Sequence, residues 1–349
     1  MRISRVLALG AAAALALSLS ACATSTDGSD TTTDDAAASD NSAVVPDGTF
    51  PVTISHVYGE TTIEKQPERI ATVAWSNQEV PLALGIVPVG MPEVTWGDDD
   101  GDGLLPWVSD KLDELGAETP VLFDETDSID FEAVADTKPD VILAAYSGLS
   151  QEDYDTLSKI APVIAYPEVE WGTSIDDMIR LNSKAIGLST SGAELIEELQ
   201  AEADAALEEH SVLKDTKPLF SYIDASDLSQ IGFYNAIDTR PGYLHDNLGL
   251  PFPSIVEESA DSTEFYQSVS SEEADKFEDV DLFVVYGDES IIPILQADPL
   301  LSKIPAIAEG RIATLGQGPL AASANPSPLS IGWGLDDYLA VLAAPLEAN

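Results

Sequence analysis

Residues 191–210 read SGAELIEELQAEADAALEEH, one unbroken helical pattern near the middle of a 349-residue chain. Leu195, Ile196, Leu199, Ala203, Ala206 and Leu207 fall on one face at helical spacing, and Glu197, Glu198, Glu202, Glu208 and Glu209 take the other. Ser191 with Glu194 has the form of a capping box and predicts the helix start at Ser191. About twenty residues at 1.5 Å rise each span about 30 Å, roughly a domain diameter.

On either side of this helix, short β-rich runs alternate with helical ones. Upstream, 52–57 and 61–63 predict a hairpin turning at Gly59. Strands are expected at 70–75, 87–90, 141–145 and 163–166, and helices at 79–84, 107–115, 131–136, 157–160 and 175–186. Downstream, strands are expected at 219–223, 282–286 and 311–315, with helices near 243–248 and 271–277. Continuous apolar strands alternating with helices imply parallel sheets covered on both faces. The expected fold class is therefore α/β: two Rossmann-like lobes, at 50–172 and 214–349, joined through bridging helices at 173–213 of which the long one spans between them.

The first 49 residues read differently. Arg2 and Arg5 precede an apolar run at 6–19, the pattern of a secretory signal and too short for a stable membrane span. Leu19-Ser20-Ala21-Cys22 closely matches the bacterial lipobox, so 1–21 is expected to be removed and Cys22, the sole cysteine, acylated. Two acyl chains give stable anchoring, which places the protein on the extracytoplasmic face of the cell membrane. Disulfides are excluded. Residues 22–49 are rich in Thr, Ser, Asp and Ala, and read as a disordered acidic tether with folded structure starting near Phe50.

The chain carries 62 acidic and 15 basic residues, a formal net charge of −47. Such a chain repels phosphate backbones, and nucleic acid is excluded as a partner. Enzymatic signatures are absent: no Gly-x-Ser-x-Gly, no His-Glu-x-x-His, no phosphate-binding loop ending in Gly-Lys-Ser or Gly-Lys-Thr. His56, His210 and His245 fall on unrelated elements, so neither a catalytic role nor a bound metal or cofactor is expected. Gly316-Gln317-Gly318 after a strand imitates a dinucleotide fingerprint, but Pro319, Pro326 and Pro328 argue against the helix that motif needs, leaving a cleft-wall loop. Asp98, Asp100 and Asp102 with Gly103 follow the start of a calcium loop. Position 12 is Ser109 rather than Glu, so an acidic surface loop is expected, with calcium as the alternative.

Three fragments stand in order ahead of the central helix: KQPERIATV at 65–73, LALGIVPVG at 82–90 behind Glu79, and IDFEAVADTKPDVIL at 129–143. With the lipobox and the long helix, they resemble the helical-backbone class of ABC-transporter solute-binding proteins, which handles ferric siderophores, haem and cobalamin. The resemblance covers nearly everything after residue 50. It implies the class III periplasmic-binding-protein fold, a monomer, no enzymatic activity, and a partner permease dimer with its ATPase subunits. It also implies one rim glutamate per lobe pairing with permease arginines; the matching positions are Glu132 and Glu272, with Glu273 as the neighbouring alternative.

In such an architecture ligands sit outside the carboxyl ends of the strands. The residues expected to line an inter-lobe cleft are Trp75, Ser76, Asn77, Trp96, Tyr146 and Trp171 from one lobe, and Arg240, Tyr243, Tyr286 and Trp333 from the other. Arg240 is the one basic residue placed in the cleft by this reading, although Asp238 and Asp246 are candidate partners for it. A trianionic tris-catecholate needs several cations to offset its desolvation, so a ferric hydroxamate is favoured. Arg240 would touch the iron-bound oxygens, and Trp75, Trp96, Tyr243 and Trp333 would pack the aliphatic parts. Cobalamin or haem, and a non-transport surface lipoprotein, remain the alternatives.

Overall fold

The computed structural model describes residues 47–348. The signal sequence, Cys22 and most of the tether lie outside the described residues.

Among the described residues the first element is an antiparallel hairpin, β1 (Val52–His56) and β2 (Gly59–Ile63), turning at Gly59 with φ 121°. The first lobe then runs β3 (Ile70–Thr72), α1 (Glu79–Ala83), β4 (Gly90–Pro92), α2 (Pro106–Leu115), β5 (Val121–Phe123), α3 (Phe131–Asp136), β6 (Val141–Leu143), α4 (Gln151–Leu157) and β7 (Val163–Ile164). Its sheet is wholly parallel in the order β5-β4-β3-β6-β7. The direction of winding reverses between β3 and β6, and the loops leaving these two strands flank the crevice where such sheets bind ligands. The strand expected at 87–90 is displaced to Gly90–Pro92. Glycine is required there because a Cβ on Gly90 would lie 2.2 Å from the Phe123 ring. β5 was not foreseen: it is only three residues long, and Val121 at its start is exposed.

Two helices, α5 (Ile175–Ala185) and α6 (Ser189–Glu209), lead to the second lobe. α6 starts at Ser189 rather than Ser191, and the expected capping box does not form. The Asp47 carboxylate takes its place, accepting the backbone N–H of Thr190 at 2.7 Å and of Ser191 at 3.3 Å. A distant segment thus satisfies donors that a helix start leaves open.

The second lobe runs β8 (Pro218–Tyr222), β9 (Gln230–Tyr234), α7 (Thr239–Asp246), α8 (Ser254–Glu257), β10 (Tyr266–Ser270), a 3-10 turn at Ser271–Phe277, β11 (Leu282–Val285), α9 (Ile291–Ala297), α10 (Pro305–Ala308), β12 (Ile312–Thr314), α11 (Pro319–Ser323) and α12 (Ser330–Glu347). The order is β10-β9-β8-β11-β12. This sheet is mixed, not parallel as expected: β8, β11 and β12 are parallel, while β9 pairs antiparallel with both β8 and β10. The reason lies in residues 223–229. Asp224 accepts the Ser226 N–H at 2.8 Å and Asp227 accepts the Ser229 N–H at 3.1 Å, two tight local turns. So short a link can only return the chain antiparallel, because a parallel crossover needs about a dozen residues or more. A helix does begin at Pro319, contrary to the sequence argument, since proline is welcome in a first helical turn. No strand follows it among the described residues, so no βαβ unit forms there.

One apolar core runs through both lobes, from Val80 and Leu143 through Ile179 and Leu199 to Phe220, Val284 and Tyr338. A second tie joins chain segments far apart in sequence. The buried Glu79 carboxylate accepts Trp107 Nε1–H at 2.8 Å and the Leu329 N–H at 3.0 Å. Burial pushes its pKa up, while these hydrogen bonds and those from Ser327 and Ser76 pull it back.

Candidate ligand-binding site

The loop leaving β3 is held under strain. Ala74 and Ser76 both have φ 61°, a conformation that non-glycine residues rarely take, and Trp75 lies between them. Asn77 fixes this loop to the one leaving β6. Its Nδ2 donates to Val73 O at 2.9 Å and Tyr146 O at 2.8 Å, and its Oδ1 accepts Tyr146 N–H at 3.1 Å and Asn182 Nδ2–H at 3.1 Å. Asn77 is fully buried, so it positions the two loops and does not line the cavity expected of it.

Around that rivet the aromatic side chains assemble. Trp171 stands edge-on to Tyr146, with ring centres 5.4 Å apart, and its backbone N–H donates to Ser147 O at 3.0 Å. Trp96 lies 6.2 Å from Trp75 and meets Tyr286 of the second lobe edge-on at 5.4 Å. Trp75, Trp96, Tyr146 and Trp171 from one side, and Arg240, Phe265, Tyr286 and Asn325 from the other, enclose a cavity of about 380 Å³. Asn325 Nδ2 donates to the Tyr146 hydroxyl at 3.2 Å across it.

Among the described residues, Arg240 is the only basic side chain lining this cavity. Its Nε and Nη2 donate to the two oxygens of the fully buried Asp238, both at 2.7 Å, and Nη1 lies 3.4 Å from the Tyr286 hydroxyl. The guanidinium also stacks 3.8 Å from the centre of the Tyr234 ring. Burial disfavours the charge, but Asp238 outweighs it and holds the Arg240 pKa well above its ordinary value. Tyr286 is pushed up to about 12 by burial, with Arg240 opposing, so it presents a neutral O–H. The cavity therefore offers aromatic walls and a few hydrogen-bond donors, and its one ion pair adds no net charge.

Beside it lies a second cavity of about 280 Å³, which shares Trp75, Trp96 and Trp171 with the first and is completed in part by Ser76, Gln78, Glu93 and Glu125. Ser76 thus faces this side cavity rather than the main one. Burial pushes the Glu125 carboxyl up to about 7, against the pull of the Ala74 N–H.

Two expected residues lie elsewhere. Tyr243, on α7, is buried, and burial above all, helped by the charges of Glu202, Asp176 and Asp204, raises its pKa; it packs in the core shared with the central helices. Trp333 projects from α12 and packs on Trp107 at 5.1 Å, beside Lys111 and Glu198 in a groove apart from the cleft. Both were assigned from their place in the chain, and both sit on helices that turn them away. Conversely, Phe265, Asn325 and Glu125 were not foreseen. Phe265 precedes an unforeseen antiparallel strand, Glu125 follows the unforeseen β5, and Asn325 lies in the loop after α11, beyond the Gly316–Gly318 wall loop.

Glu132 and Glu272 are exposed, each in the first turn of its helical segment. Glu273 pairs with Lys276 at 2.5 Å. Of the histidines, His245 stacks on Phe252 at 4.0 Å, His210 bonds Asp336 at 2.8 Å, and His56 bonds Thr61 at 2.9 Å, so none lines the cavity. Asp98, Asp100 and Asp102 each bring a carboxylate oxygen within 4.8 Å of the others, with Asp98 already accepting the N–H groups of Gly101 and Gly103.

Residues 70–319 match the family described as periplasmic binding protein. The chain belongs to that family. Within it, the structure resembles PiaA of Streptococcus pneumoniae TIGR4, solved in complex with ferrichrome: TM-score 0.82 and 44% identity, covering 85% of this chain and 99% of that one. The Fe(3+) dicitrate-binding periplasmic protein FecB of Escherichia coli is 25% identical over 76% of this chain and 82% of its own. The probable siderophore-binding lipoprotein YfiY of Bacillus subtilis is 26% identical over 67% of each. FhuD of S. pseudintermedius, at 18% identity and TM-score 0.61, shares the fold. Like these periplasmic binding proteins, the chain carries paired α/β lobes of class III architecture, and no helix among the described residues is long and apolar enough to cross a membrane.

Proposed function

We propose that this protein is the extracytoplasmic receptor of an ABC importer, taking a ferric hydroxamate siderophore into the cavity between its lobes and delivering it to the permease. One observation carries the ligand class: Arg240, the sole cation lining the cavity among the described residues, is already neutralised by the buried Asp238. A tris-catecholate of charge −3 would meet no net positive charge in the cavity and a chain of formal charge −47 around it. A neutral ferric hydroxamate needs only donors for its iron-bound oxygens, and Arg240 Nη1 and the Tyr286 hydroxyl supply them side by side. Trp75, Trp96 and Trp171 provide apolar surface for the ligand's carbon skeleton. The 44% identity with a protein solved holding ferrichrome supports the same class.

In this reading Cys22 carries the lipid anchor, Glu132 and Glu272 meet the permease, and the receptor acts as a monomer without catalysing a reaction. Quenching of tryptophan fluorescence tests the ligand class directly. Submicromolar binding of ferrichrome or ferrioxamine, and none of a ferric tris-catecholate, haem or cobalamin, is expected. The reverse preference would overturn it.

A further inference from the structure

The side cavity has a polarity of its own. Its wall carries two carboxylates, Glu93 and Glu125, and no basic side chain. Glu125 Oε2 accepts the Ala74 N–H at 2.9 Å, but Oε1 is buried and has no partner in the protein. Gln78 Oε1, on the same wall, is likewise buried and unpartnered. A buried polar group left unsatisfied costs about 1–3 kcal/mol; two acceptors here outnumber the one unpartnered donor on the same wall, Trp75 Nε1, and favour a donor-rich ligand. The tryptophans shared with the main cavity add π-faces, the surface that best attracts an organic cation.

We propose that the side cavity is a subsite for a protonated primary amine carried on an arm of the siderophore, with Glu125 and Gln78 accepting its N–H groups. The proposal rests on the hydroxamate reading above and deepens it. An ammonium has three donors and no acceptor, which matches a wall holding unpaired acceptors. Its charge is opposite to Glu93 and Glu125, whereas an anionic arm would be repelled by both. The shared tryptophans make the two cavities neighbours, so a chelate seated against Arg240 can extend an arm past Trp75 towards Glu125. Burial has pushed the Glu125 carboxyl up to about 7, and an adjacent ammonium is the partner that restores its charge.

Fluorescence titration of the folded protein with three neutral-core probes tests this: ferrioxamine B, which ends in a free ammonium; its N-acetyl derivative, which does not; and ferrichrome. Ferrioxamine B is expected to bind about tenfold more tightly than the acetylated form, as one charge-assisted contact of about 1.4 kcal/mol gives. Glu125→Gln should close that gap, and Gln78→Leu should narrow it. Equal affinities for the two ferrioxamines, or a gap that survives Glu125→Gln, would overturn the subsite while leaving the hydroxamate reading intact. Failure of all three probes to bind would overturn the hydroxamate reading, and the subsite with it.

Discussion

Asp238 holds Arg240 by a two-pronged ion pair, with both nitrogen–oxygen distances at 2.7 Å, and the same carboxylate accepts the Arg240 backbone N–H at 3.0 Å. The arginine is thereby aimed before any ligand arrives, with Nη1 left for the cavity. Arg240→Ala should weaken hydroxamate binding by about ten- to a hundredfold, the range for a hydrogen bond from a charged donor. Arg240→Lys should not restore it, since an ammonium can neither fork onto Asp238 nor stack flat on Tyr234. Calorimetric titration with ferrichrome measures both; an unchanged dissociation constant in Arg240→Ala would remove the residue from the site.

Asp238→Asn leaves Arg240 with an uncompensated charge in the cavity. Anionic ferric complexes should then gain affinity relative to neutral ones, and the melting temperature should fall, because breaking a buried pair costs about 3–5 kcal/mol. Competition between a ferric tris-catecholate and ferrichrome reads the shift. A selectivity identical to that of the unaltered protein would count against neutralisation as the basis of ligand choice.

Glu125 makes stability depend on pH with a definite sign. Its folded pKa, about 7, stands above the ordinary 4.5, so the folded state holds the proton more tightly than the unfolded one. The carboxylate therefore adds no penalty below about pH 4.5, and a penalty that grows as pH rises to about 7, then stays constant, on the order of 3 kcal/mol. Glu125→Gln should melt higher than the unaltered protein at pH 8 and at the same temperature near pH 4. Thermal scans at the two pH values check this, and a constant difference would refute it.

The exposed Glu132 and Glu272 touch neither cavity. Replacing both with alanine should abolish siderophore uptake by cells while the purified protein binds ferric hydroxamate as before. Growth of the double variant on the siderophore at the normal rate would reject them as docking residues.

Cys22→Ser should leave the chain without lipid and released or unprocessed. Metabolic labelling with a fatty acid provides the readout, and normal labelling would remove the anchor.

Much of this fold is legible in the sequence because its first lobe is built from local signals: α3 follows Asp130, whose side chain caps Ala133 N–H at 3.0 Å, and α2 stops at Gly116 with φ 62°. The antiparallel turn at 223–229 is also local, but its signal is a pair of Asx turns rather than a hydrophobic period. The start of α6 was out of reach in principle, since its cap comes from Asp47, more than a hundred residues away. Trp75, Trp96, Tyr146, Arg240 and Tyr286 come together at one cavity, and the sequence points to them because they follow strands or carry a distinctive charge. Tyr243 and Trp333 were misplaced because which face of a helix meets the cleft depends on how lobes pack, which no residue spacing encodes.

The core shared by both lobes, with Glu79 bonded to Leu329, limits how the receptor can announce its cargo. A wide swing of one lobe against the other would have to tear Val80, Ile179, Phe220 and Tyr338 out of a common interior. On the proposed reading, loaded and empty receptors would then present nearly the same outline to the importer. The importer is left to tell them apart by the chelate itself and by the settling of rim side chains such as Trp96, which is 38% exposed. Discrimination against empty carriers becomes a matter of surface texture at the mouth of the cleft.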